Sequence, residues 1–78
     1  MQTYIKRIKD AKTKDELHQI SYEFLRDTNV QALSKETDLI DGLCIYKECE
    51  LDGASTQELN LCIKSLKLPK KYVLQIAK

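Results

Sequence analysis

Residues 55–78, STQELNLCIKSLKLPKKYVLQIAK, hold two helix boundaries in one run. Ser55 and Glu58 stand in S-x-x-E spacing, directly after Gly53-Ala54 and directly before apolar positions at Leu59, Cys62, Ile63 and Leu66. This is a capping box, in which the Ser hydroxyl accepts from the amide of Glu58 and the Glu carboxylate reaches back to the amide of Ser55. Pro69 marks the second boundary. It disfavours helix at Leu68 and suits the first turn of a new helix, where its missing N–H would have had no partner. The spacing predicts a last helix over 69–77 with Tyr72, Val73 and Ile76 inward.

Working back along the chain, the same signals recur. Thr13 and Glu16 form a second box, which opens a helix with Leu17, Ile20, Phe24 and Ser21 toward one face, ending near Asp27–Asn29. Before it, Tyr4, Ile5 and Ile8 give a short apolar stripe over residues 2–11. The third helix has three candidate starts, at Thr28-Asn-Val-Gln31, Ser34 and Thr37, and its apolar positions Leu39, Ile40, Leu43, Cys44, Tyr46 and Leu51 follow a 3.6-residue period. Gly42 lies inside this run, where glycine costs about 1 kcal/mol relative to alanine, so a neighbouring helix is expected to approach closely. Gly53 supplies a left-handed residue to end the helix. The reading is all-α: a small bundle or orthogonal array of four to five short helices, one domain over residues 1–78.

Composition bounds the function classes. The chain has 78 residues, 42% of them hydrophobic and 32% charged, with two Gly, one Pro and no Trp, a balance ordinary for a globular domain and poor for a turn-rich β fold. A domain of this size buries only about 60% of the surface its unfolded chain exposes, so its core is modest. No apolar run approaches a membrane span and no signal-peptide core follows Met1, so a cytoplasmic protein without membrane attachment is expected. The odd number of cysteines, Cys44, Cys49 and Cys62, with no metal-ligand spacing, reads as small apolar fillers rather than a disulfide framework.

Charge is unevenly spread. Residues 1–14 carry a net of +4, residues 15–58 a net of −8, and residues 59–78 a net of +5 with no acid. Such asymmetry marks either a polyanion-binding surface or basic ends that neutralise an acidic centre.

No catalytic, cofactor-binding or metal site is legible, and no small-molecule substrate is evident. The single His18 has no nucleophile site around it. The acid pairs Asp38/Asp41 and Glu48/Asp52 lack the further ligands a structural cation site needs, and no Gly-rich phosphate loop is present. Residues 62–76 resemble a helix-turn-helix over their apolar skeleton, with Leu66, Leu68, Val73 and Ile76 as inward positions. That resemblance implies a DNA-contacting face of Lys64, Lys67, Lys70, Lys71 and Gln75 within residues 55–78. Ile63 stands where the motif wants a small residue, and Lys67 where it wants glycine. With no catalytic constellation, the leading expectation is a non-enzymatic accessory or regulatory protein that binds another protein or itself, DNA binding being the alternative. The contact would be made by Asp38, Asp41, Glu48 and Asp52 with the Cys44–Cys49 edge, or by the apolar Leu74 face. Lys outnumbers Arg eleven to two, a composition suited to a phage or mobile element of an A+T-rich genome.

Overall fold

The first helix, α1 (Gln2–Asp10), turns Ile5 and Ile8 fully inward and leaves Tyr4 half-buried. The structure, a computed structural model, describes residues 2–28 and 35–77. Four more helices follow: α2 (Lys14–Thr28), α3 (Lys35–Leu51), α4 (Thr56–Leu66) and α5 (Lys70–Ile76). The fold is all-α, built around α3, against which α1, α2, α4 and α5 each pack. Its buried centre includes Ile5, Ile8, Leu17, Ile40, Leu43 and Ile76. Full burial of such a side chain is worth about 1.5–3 kcal/mol, and this small set supplies much of the driving force for folding.

Helix starts follow the local chemistry with two adjustments. At α4 both halves of the capping box are present: the Glu58 amide donates to Ser55 Oγ at 3.2 Å, and the Ser55 amide to Glu58 Oε1 at 3.1 Å. At α2 only half is made as expected. The Glu16 amide donates to Thr13 Oγ1 at 3.2 Å, but the Glu16 carboxylate accepts from the amide of Lys12 (3.4 Å) and from the Thr13 hydroxyl (3.3 Å), not from the Thr13 amide. Of the candidate starts of α3, Thr37 lies buried inside the helix and Thr28 closes α2, while Ser34 and residues 29–31 lie outside the described residues.

The segment 66–69 is a short turn between α4 and α5. Gly53 ends the α3 side of the previous hairpin at φ 85°, as its sequence position predicts, whereas at the end of α4 the left-handed residue is Lys67, at φ 54°. The Leu68 amide donates to the carbonyl of Ile63 at 3.0 Å and the Lys67 amide to that of Lys64 at 3.3 Å, which closes the helix in the manner of a Schellman motif. Pro69 is the N-cap of α5 in extended conformation, one residue before the helix rather than within it. The close approach at Gly42 comes from this turn and not from a neighbouring helix: a Cβ there would stand 2.7 Å from Leu68 Cδ2. Leu66, expected inward, is exposed, and Leu68 takes the buried place.

The interhelical arrangement carries a polar edge that the periodicity does not show. Lys14, His18 and Ser21 lie one turn apart on α2, and they meet in that order Asp52, one residue past the end of α3, and Glu48 and Asp41 of α3. The contacts are Lys14 Nζ to Asp52 Oδ1 at 2.8 Å, His18 Nε2 to Glu48 Oε1 at 2.7 Å and Ser21 Oγ to Asp41 Oδ1 at 2.5 Å. Numbers that rise on one helix fall on the other, so α2 and α3 run antiparallel. Helix α1 is clasped to α2 by Arg7 Nη2 to Glu23 Oε2 at 2.6 Å, with the Tyr4 and Phe24 rings edge to face at 5.1 Å.

The clasp gives a pH prediction. The hydrogen bond from Arg7 and its positive charge hold the Glu23 carboxyl below the usual carboxylate range. A depressed folded-state pKa contributes stability above the ordinary glutamate value, which is lost as pH falls through the folded-state value. In thermal melts at successive pH values, Glu23→Gln is therefore expected to lie below the wild type at pH 7, with the gap closing as pH falls below the ordinary glutamate value of about 4.3. A constant gap down to pH 2 would contradict the assignment.

Candidate partner-binding face

Most of the acids expected to form a contact surface are already engaged. Asp41, Glu48 and Asp52 each pair with α2, and Glu50 pairs with Lys47 at 2.7 Å. Asp38 remains exposed, beside Lys35, Leu39, Lys67 and Pro69 in a cleft at the start of α3. The Cys44–Cys49 edge divides in the same way. Cys44 is buried, donates to the Leu17 carbonyl at 3.7 Å, and has its thiol pushed up to about 12 by burial and then by the charges of Asp41 and Glu48. It offers nothing to a partner. Tyr46, on the apolar period of α3, is buried, and Tyr22 is exposed.

The lysines behave oppositely. Lys6, Lys9, Lys64, Lys67, Lys70 and Lys71 are exposed, and no ion pair to any of them is found among the described residues. They do not form one set. Lys64 lies on the outer side of α4 beside Gln57, Asn60 and Leu61, and Lys67 faces the cleft that holds Asp38. The packing of α5 on α1 makes a third group: Lys6 and Lys9 line a shallow recess with Ile5, Leu74 and Gln75. Lys70 and Lys71 stand one turn before Leu74 and Gln75 on α5 and extend the same face. Lys71 lies over the ring of Tyr72, with Nζ 5.0 Å from its centroid.

At the centre of this face is Leu74, 70% exposed. Its exposure follows from the helix geometry. With Val73 and Ile76 turned into the core, positions 74 and 75 between them face outward. Gln75, Lys70 and Lys71 share its exposure.

The α4–α5 unit does not make the crossing of a DNA-reading helix-turn-helix. Helix α4 packs on α3, and α5 packs on α1 and α3, while α4 and α5 are not among the packed pairs. The large Ile63, at the position where two such helices would cross, is only half-buried. Leu68, in the turn between the two helices, is seated against Gly42 of α3.

Two features escaped the sequence altogether. Lys6 and Lys9 join the face only because the first helix meets the last, a contact that no local pattern encodes. Lys47 reads as one more solvated lysine, yet it is 3% exposed, bonded to Glu50 and donating to the Ile76 carbonyl at 3.0 Å. Its place one turn after Leu43 and Cys44, on the buried side of α3, is the only signal that could have found it. Among the described residues, no group of three or more His, Cys, Asp or Glu side chains is placed to hold a metal ion, and no helix is long and apolar enough to cross a membrane. Compared with known proteins, the chain matches no family model, and no curated protein and no solved structure is significantly similar to it.

Proposed function

We propose that the protein acts by contact, as a non-enzymatic accessory or regulatory protein that seats an acidic partner protein on the α1–α5 face. The observation that carries this reading is the exposed Leu74, set among Lys6, Lys9, Lys70, Lys71 and Gln75 with no acid in residues 59–78. An apolar side chain ringed by charges has the make-up of a protein contact, in which a central anchor is desolvated and the rim steers the encounter. On α3 and just beyond it, Asp41, Glu48 and Asp52 are bonded to α2 and Glu50 to Lys47.

The test is affinity capture from the native cell with the wild type, Leu74→Asp and the pair Lys6→Glu/Lys71→Glu. A partner held by the wild type and lost with both variants supports the reading, and its retention should weaken as salt rises. A partner retained by both variants counts against it. The second reading, nucleic-acid binding by the same lysines, is favoured by the absence of acids from residues 59–78. Retardation of mixed duplex at low salt and micromolar protein, abolished by Lys70→Glu/Lys71→Glu but kept by Leu74→Asp, would establish that reading in place of the first.

A further inference from the structure

A cleft opens where the end of α1 lies against the last turns of α3. It measures about 640 Å³ and is lined by Lys9, Asp10, Ala11, Lys12, Lys47 and Leu51. Sites for small molecules run from about 300 to 1,000 Å³, so the space suits a molecule rather than a bare ion. Ala11 is buried and Leu51 half-buried, which makes one wall apolar. What sets this cleft apart from the other recesses of the surface is Lys47. An ammonium has three N–H donors. One of them meets Glu50 Oε1 at 2.7 Å and another the Ile76 carbonyl at 3.0 Å. Among the described residues nothing accepts the third, although the side chain is only 4% exposed. A buried charged donor left unmet costs free energy, and the cleft is the open space that Lys47 borders.

Charge selects the ligand. Lys9 and Lys12 are exposed at the rim, with no ion pair among the described residues, and Asp10 is the acid of the lining. The lining and the carboxylate bonded to it therefore set the cations of Lys9, Lys12 and Lys47 against the anions of Asp10 and Glu50, a surplus of one positive charge. One carboxylate balances that surplus. A phosphate dianion would overshoot it and crowd Asp10 and Glu50 with like charge. We propose that this cleft binds a small monocarboxylate with a short apolar body. The carboxylate accepts the third N–H of Lys47, flanked by the ammonium groups of Lys9 and Lys12, and the apolar body covers Leu51 and Ala11. Lys9 also lines the Leu74 recess, so the two sites adjoin, but this one needs no partner protein.

Hexanoate is a suitable probe. The isotope-labelled full chain is titrated with sodium hexanoate, against sodium chloride at equal ionic strength, and its backbone amide shifts are followed by NMR. The expected result is a saturable shift confined to residues 9–12 and 47–51, with a Kd on the order of 1 mM. Lys9→Gln/Lys12→Gln should weaken binding by about fivefold or more. Both lysines are exposed, so this variant reads the site without the stability cost of changing Lys47. Hexanol should give no saturable shift, and hexyl phosphate should bind more weakly than hexanoate. N-acetylglutamate amide, which stands for an acidic side chain of a partner protein, should also bind more weakly, because it has no apolar body. Failure to saturate by about 50 mM hexanoate, or a response that chloride or hexanol reproduces, would overturn the proposal. So would shifts spread over Lys64, Lys67, Lys70 and Lys71, unchanged affinity in Lys9→Gln/Lys12→Gln, or tighter binding of the phosphate or the glutamate amide.

Discussion

Lys47→Ala should destabilise the protein by about 3–5 kcal/mol, the range seen when one partner of a buried ion pair is removed. Domains of this kind have total stabilities of about 5–15 kcal/mol, so much of the fold's stability is at stake. Lys47 is 3% exposed and does two things at once: its ammonium pairs with Glu50 at 2.7 Å and donates to the carbonyl of Ile76 at 3.0 Å. The second contact satisfies a carbonyl in the last turn of α5, which would otherwise lack a partner within its helix. Alanine removes the donor for that carbonyl, takes the ammonium away from Glu50, and opens the space of the lysine stem. Lys47→Met keeps the stem and should lose less. Urea denaturation of the two variants and the wild type measures this. Equal stability of Lys47→Ala and wild type would show that the buried pair contributes nothing.

The second large effect lies at the Gly42–Leu68 contact. Leu68→Ala should destabilise by about 2–5 kcal/mol, since Leu68 is buried and its removal leaves a hole against α3. Gly42→Leu should be comparably damaging, because even a Cβ at 42 stands 2.7 Å from Leu68 Cδ2. Gly42→Ala is more finely balanced: it gains about 1 kcal/mol of helix propensity, while the end of the Leu68 side chain has to move aside. Combined with Leu68→Ala, the same substitution enters freed space and should be stabilising relative to Leu68→Ala alone. A double-mutant cycle reads this as a coupling of about 1 kcal/mol or more in favour of the pair. Additivity would mean that the two positions do not touch.

What the sequence reveals here is what neighbouring residues decide between themselves. The Ser55–Glu58 box, the left-handed Gly53 and the break before Pro69 involve groups within a few positions of each other, and each stands where the spacing puts it. Gly42 announces a close approach without saying by what, because glycine records only the space a neighbour needs. Lys67 shows the opposite case: a lysine adopts the left-handed conformation that glycine favours, at about 1–2 kcal/mol, because the Leu68 insertion holds the turn in place. The candidate face was only partly legible. Leu74, Gln75, Lys70 and Lys71 follow from the period of α5, but Lys6 and Lys9 arrive through tertiary packing. The acids of α3 looked available because the residues that engage them, Lys14, His18 and Ser21, lie on another helix.

The contact between α1 and α5 sets an order on assembly. During synthesis α1 leaves the ribosome before the other four helices, yet α5, against which it packs, leaves after them. The α2–α3 pair can form while the chain is still growing, because its two helices are close in sequence and antiparallel. Until α5 arrives, the cation of Lys47 has no Ile76 carbonyl to meet, and part of the apolar face of α1 stays wet. The nascent chain should therefore hold a helical hairpin that becomes cooperative only when α5 joins α1. Removal of α5 would then cost far more than the seven residues it deletes, because it uncouples both ends of the fold at once.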